Sequence, residues 1–215
     1  MGKMQNNLSM AFKVLGCSVN STKTPCPTRD TIKVSPHCEQ VLAVYRSLGG
    51  IMNDIPANLR TWDMIVDGIA VELDEMLHFN RYRQITLLST AYNALPHFPL
   101  LEYRQYCLER ELGCIKAGSY GGKWSNNSCE MQFGRASDTG SFDGNGSPRW
   151  KQRAFYDFIK DLSPLLIGVS LVRISIWDKV NVEGAYALIK DLLSKPVDEI
   201  AGQAILELVE RRKPV

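Results

Sequence analysis

The stretch TWDMIVDGIAVELDE, residues 61–75, sets two β-prone runs on either side of Asp67-Gly68. Asp-Gly between such runs is a strong hairpin signal, because a two-residue turn of the type that matches strand twist needs positive φ at both positions. The register then follows from the turn: Val66 opposite Ile69, Met64 opposite Val71, and Trp62 opposite Leu73. All six are apolar. The other face pairs Ile65 with Ala70, Asp63 with Glu72 and Thr61 with Asp74, so it collects three carboxylates, while Asp67 is spent on the turn.

Outward from the hairpin, Ser35 and Pro36 open a helix carrying Val41, Leu42, Tyr45 and Leu48, closed by Gly49-Gly50. Tyr82, Ile85, Leu88, Tyr92 and Leu95 recur at helical spacing and predict a helix over 80–94 that stops before Pro96. A further helix is expected around 99–113. Residues 117–148 are crowded with Gly, Ser and Asn and read as a long loop. Order returns with a helix from Ser147-Pro148 that places Trp150, Ala154, Phe155, Phe158 and Leu162 on one face. A strand at 171–177 and two helices, about 181–194 and 197–211, complete the pattern. The expected fold class is α/β: a core in the order helix, β-hairpin, helix, strand, with a helical and loop insertion at about 96–168. Residues 1–34 are expected to be a poorly ordered or peripheral lead-in to a domain spanning 35–215.

The bulk numbers exclude more than they assign. The chain of 215 residues is 45% hydrophobic and 22% charged, with a formal net charge of +2. No apolar run reaches the ~18 residues of a membrane span. The VLGC stretch at 14–17 resembles a lipoprotein cleavage site, but Lys13 interrupts the apolar segment before it. Six cysteines, too sparse for a disulfide scaffold, suggest reduced thiols in a cytoplasmic protein. Cys107, Cys114 and Cys129 with His97 lack the close pairs of structural zinc sites, so structural Zn is not expected.

Two carboxylates directly opposite on a hairpin have Cβ atoms ~4.5–5.5 Å apart and destabilise it unless a proton or a cation relieves them. An all-oxygen ligand set suits Mg²⁺ or Mn²⁺, ions that assist phosphodiester cleavage. The order Asp63, Glu72-Leu73-Asp74, His78, with Glu39 on the helix before and Arg83 on the helix after, resembles the PD-(D/E)XK nuclease superfamily, and within it the very short patch repair endonucleases. The resemblance covers about residues 35–95, with the strand-helix unit at 171–194 as a second segment, and implies a restriction-endonuclease-like core, whose usual first strand would lie near residues 50–55. It implies Asp63 and Glu72 as metal-binding acids and Glu39 as an additional one. Asp74 stands where the superfamily motif has Lys. Either Asp74 is itself a ligand, or the role of that Lys passes to His78, Gln84 or Arg83, or the fold has lost activity.

Asp63, Glu72, Asp74 and His78 are therefore the expected catalytic group, with Asp63, Glu72, Asp74 and Glu39 as metal ligands. Arg83 and Gln84 are candidate phosphate contacts. So are Arg149, Lys151 and Arg153 in the first turn of the helix from Pro148, where the helix dipole disfavours cations and an anion would offset the cost. The expected activity is metal-dependent endonuclease cleavage of DNA, with RNA a lesser possibility and a homodimer left open. The competing expectation is an inactive nuclease-fold module that binds nucleic acid or a protein.

Overall fold

The computed structural model describes residues 2–20, 24–59 and 61–214. It begins with α1 (Lys3–Val14), β1 (Val19–Asn20), α2 (Arg29–Lys33) and α3 (Cys38–Ser47). The hairpin strands β2 (Met64–Val66) and β3 (Ile69–Asp74) precede a 3-10 turn at Met76–His78 and α4 (Arg81–Thr86). Then come α5 (Leu100–Gly118), α6 (Asn127–Phe133), α7 (Pro148–Asp161), α8 (Ser163–Ile167) and β4 (Leu171–Ser175). The chain continues through β5 (Lys179–Val182), β6 (Ala185–Leu188), α9 (Ile189–Leu192) and α10 (Glu199–Arg212). The result is a mixed α/β fold in which β1-β2-β3-β4 form one sheet and β5-β6 a separate hairpin. The expected order of helix, hairpin, helix, insertion and strand is present.

The hairpin has the expected register: Met64, Ile65 and Val66 pair with Val71, Ala70 and Ile69. Asp67 and Gly68 take φ of 47° and 85°, the twist-matched turn. Trp62 departs from it. The chain bends at Asp63, and the indole packs with Cys26, Ile65, Ala70 and Leu171 while donating to the backbone oxygens of Thr24 and Pro25. β4 lies parallel to β3, with Glu72 beside Arg173 and Asp74 beside Ser175. The opposite face, with Val71, Leu73, Val172 and Ile174, belongs to the main core.

Five expectations about elements need correction. The segment 1–34, part of which (residues 1 and 21–23) lies outside the described residues, is not merely peripheral. Leu8 and Phe12 of α1 are fully buried and β1 adds to the sheet on β2. No strand forms at 50–55; β1 takes the outer position instead. The helix over 80–94 breaks after Thr86, where the Ser89 hydroxyl accepts from the Ala91 amide and starts a 3-10 segment, Thr90–Ala94. Residues 117–148 include α6, capped by the Asn126 side chain, and bury Trp124 and Phe133. The first of the two C-terminal helices is mostly the β5-β6 hairpin. Its turn, Glu183-Gly184, has positive φ at both residues, a local signal that the spacing of apolar residues obscured.

Gly146 decides how α7 meets α4. Its φ is 65°, and a Cβ built there would lie 1.9 Å from the Tyr82 hydroxyl. That hydroxyl accepts from the Ser147 amide at 3.2 Å, at the cap of α7. Gly146→Ala is expected to cost at least about 2 kcal/mol, combining left-handed strain with the displaced hydroxyl. Urea denaturation would measure it, and a loss below about 0.5 kcal/mol would contradict the account.

Candidate metal centre and the charged layer between sheet and helix

On β3 the alternation that sends Val71 and Leu73 into the core sends Glu72 and Asp74 to the other face, where both are buried. α7 turns Asp157, Lys160 and Asp161 toward that face, and β4 adds Arg173. The layer between them is therefore built from charged groups, and each has a partner.

Asp63 and Glu72 meet as expected, but through the backbone as well. The Asp63 amide donates to Glu72 Oε1 at 3.0 Å and the Leu73 amide donates to Asp63 Oδ2 at 2.9 Å. The cation that such a pair requires is Lys160, whose Nζ lies 2.7 Å from Glu72 Oε1. Burial pushes Glu72 up to about 7, against the opposing pull of Lys160.

Arg173, fully buried, makes three ion pairs: with Asp74 at 2.6 Å, with Asp157 at 3.4 Å and with Asp161. Asp161 also receives Arg83 Nη2 at 2.7 Å and the Tyr92 hydroxyl, and Asp74 receives the Tyr103 hydroxyl at 2.8 Å. His78 closes the layer at one end, its Nδ1 2.8 Å from Asp157 and 3.2 Å from Asp74. Burial opposes the imidazolium, yet the Asp157 and Asp74 carboxylates outweigh it and raise the His78 pKa above its ordinary value. Burial likewise acts to raise Asp157, and the His78 and Arg173 cations override it and hold it low. Three carboxylates, Asp74, Asp157 and Asp161, thus face two guanidiniums, Arg83 and Arg173. One negative charge remains, which a proton on His78 or a cation completes.

Asp74, His78 and Asp157 each offer a ligand atom, all within 4.8 Å of one another. Two carboxylate oxygens and one imidazole nitrogen form a donor set that suits Mn²⁺ better than Mg²⁺, which prefers oxygen. Just outside, Arg153 of α7 has Nη1 buried and without a hydrogen-bond partner, and burial lowers its pKa against the opposing pull of Asp157.

The structure thus gathers Asp63, just before β2, with Glu72 and Asp74 of β3 and His78 of the turn that follows, and sorts them into two groups. Glu39 is not with them: it is exposed on α3, whose buried face carries Val41, Val44 and Tyr45. Arg83 is corrected from a phosphate contact to a buried partner of Asp161 with no exposed face for a ligand. Gln84 is half-buried, its side-chain oxygen unpartnered. Of the basic helix start, Lys151 is buried, donating to Asn145 at 2.6 Å, and Arg149 is engaged with Gln152. Trp150 packs against Trp124 in the core. Burial pushes the Cys107 and Cys114 thiols up to about 12, which disfavours the thiolates a zinc site uses. Asp157, Lys160, Asp161 and Arg173 were not anticipated. The one visible sign was Arg173, a charge at the centre of the apolar strand LVRIS.

The fold and this charged layer define a mixed α/β protein with a candidate metal centre at the end of a sheet strand. The chain belongs to a family of unknown function, DUF7255, whose model matches residues 43–195 and so includes every residue of the layer. No curated protein and no solved structure matches it. Among the described residues, no helix is long and apolar enough to cross a membrane.

Proposed function

We propose that the protein is a metal-dependent phosphodiester hydrolase acting on nucleic acid, DNA foremost. The observation that carries this reading is the convergence of Asp74, His78 and Asp157 within ligand distance of a single ion. A divalent ion there would neutralise charge on a phosphate. Arg153 of α7, whose buried Nη1 has no hydrogen-bond partner, is the residue we assign to the phosphate oxygens. Glu72 lies two residues from Asp74 on the same strand face, roughly 6–7 Å away by strand geometry. With a pKa of about 7 it is poised to take a proton from water. Lys160 beside it occupies the role that the resemblance to the PD-(D/E)XK superfamily leaves open at Asp74.

A second reading, a module that binds nucleic acid without cleaving it, is favoured by one observation. Arg173 already neutralises most of the charge that would attract a metal.

Calorimetric titration with Mn²⁺ is expected to show one site, lost by at least ~100-fold in Asp157→Asn and His78→Ala, with affinity rising with pH as the ion displaces the His78 proton. Nicking of plasmid and single-stranded DNA in Mn²⁺ is expected for wild type and not for Glu72→Gln or Asp157→Asn. Absence of Mn²⁺ binding refutes the metal centre. Binding without cleavage of any nucleic acid leaves the second reading.

A further inference from the structure

β4 is the last strand of the main sheet, and its outer edge is only partly covered. In the parallel ladder with β3, the backbone groups of Leu171, Arg173 and Ser175 turn away from β3. Two of them are met by side chains: the Arg173 carbonyl accepts from Arg212 Nη1 at 2.9 Å, and the Ser175 amide donates to Asp178 at 2.8 Å. Among the described residues nothing pairs with the Leu171 amide, the Leu171 carbonyl or the Arg173 amide, although both residues are buried. Nearly all buried backbone groups are paired, so an open run on a sheet edge marks a place for another chain.

A cavity of about 260 Å³ lies against this run, with Leu171, Val172 and Arg173 on one side and Leu95, Phe98 and Pro164 on the other. Arg212 lines it too. Its Nη1 and Nη2 hold the Arg173 carbonyl and Asp178, and its Nε has no partner among the described residues. Asp161 also borders the cavity, but its carboxylate is occupied by Arg83, Tyr92 and Arg173. The open groups along the edge are therefore an N–H, a C=O, a second N–H and then a guanidinium.

That order matches the end of one extended peptide. In parallel pairing, a residue opposite Val172 donates its amide to the Leu171 carbonyl and accepts from the Arg173 amide, while the carbonyl two residues earlier accepts from the Leu171 amide. Such a peptide runs toward Arg212, which already occupies the next pairing position on the Arg173 carbonyl. Its last acceptor is then a terminal carboxylate, held by the Arg173 amide and Arg212 Nε together. An antiparallel peptide would instead bring its amino-terminal side to the arginine. We infer that this edge of β4 binds the C-terminal residues of an extended peptide as an added parallel strand, with an apolar last side chain in the cavity. Main-chain hydrogen bonds supply the affinity, and Leu95, Phe98 and Pro164 the preference for an apolar residue.

Calorimetry with acetyl-Ala-Ala-Leu, its C-terminal amide and acetyl-leucine tests this, alongside amide NMR spectra of the labelled protein. The tripeptide acid is expected to bind with a Kd below about 1 mM and to move the Leu171 and Arg173 amide resonances. Its amide is expected to bind at least about tenfold more weakly, since a charge-assisted contact is lost, and acetyl-leucine likewise, since nothing then meets the Leu171 amide. Leu95→Trp, which fills the cavity, is expected to abolish binding, and Arg212→Gln to bind acid and amide alike. No binding of the acid by wild type at about 1 mM overturns the inference, as do resonance shifts elsewhere in the protein. Equal affinity for acid and amide removes the carboxylate, and acetyl-leucine binding as tightly as the tripeptide removes the added strand. These readings on wild type stand even where a variant folds poorly.

Discussion

Arg173→Met is expected to destabilise the protein by about 3–5 kcal/mol, enough to leave it largely unfolded if its total stability is ordinary. The guanidinium is fully buried and holds Asp74, Asp157 and Asp161 at once. Methionine fills much of the space but leaves three carboxylates facing only Arg83 and His78. Those acids must then be protonated or hydrated at the cost of opening the layer. Arg173→Lys is expected to be intermediate, since a single ammonium cannot serve three acceptors in the plane of a guanidinium. Urea unfolding of the three proteins at pH 7 is the measurement, and a loss under about 1 kcal/mol in Arg173→Met would show that Arg173 does not hold the layer together.

The second large effect is a dependence on pH set by Glu72. In the unfolded chain this carboxyl titrates near its ordinary value of 4.5, and in the folded protein at about 7. As pH rises between these values the unfolded state gives up its proton first, so stability falls. Below 4.5 both states are protonated and above about 7 both are ionised, and there this group adds no further slope. The full loss is about 3 kcal/mol at ~1.4 kcal/mol per pH unit of separation, an order of magnitude for a buried pair. Glu72→Gln removes the titration and leaves Lys160 with a neutral acceptor. In chelator, the stability difference between wild type and Glu72→Gln is expected to shift in favour of the variant as pH goes from 5 to 8. A pH-independent difference would mean that Glu72 keeps an ordinary carboxylate pKa in the folded state.

The two effects trace the boundary of what could be read from the chain. The hairpin was legible because its determinants are adjacent: Asp67-Gly68 supplies the positive φ angles, and the alternation on either side fixes the register. The grouping of Asp63 and Glu72, and the nearness of His78 to Asp74, follow from the same few residues. The helix from Pro148 was legible for a like reason, since its Ser147 cap and one-sided apolar pattern are local, whereas the helix expected around 99–113 runs on to Gly118. The β5-β6 hairpin and the break after Thr86 were missed where a turn or a serine outcompeted an apparent helical period.

By itself, then, the sequence determined that carboxylates would share one face of a strand and would need positive charge. Where that charge comes from was decided by the tertiary fold. Lys160 is 88 residues from Glu72, and Arg173 is 99 residues from Asp74. Only the packing of α7 and β4 beside β3 brings them within 3 Å. A charged residue on a strand has the same local pattern whether its face is wet or covered. The cation met near Asp63 and Glu72 is therefore a lysine, and the candidate metal centre lies one pleat further on, where Asp157 joins Asp74 and His78.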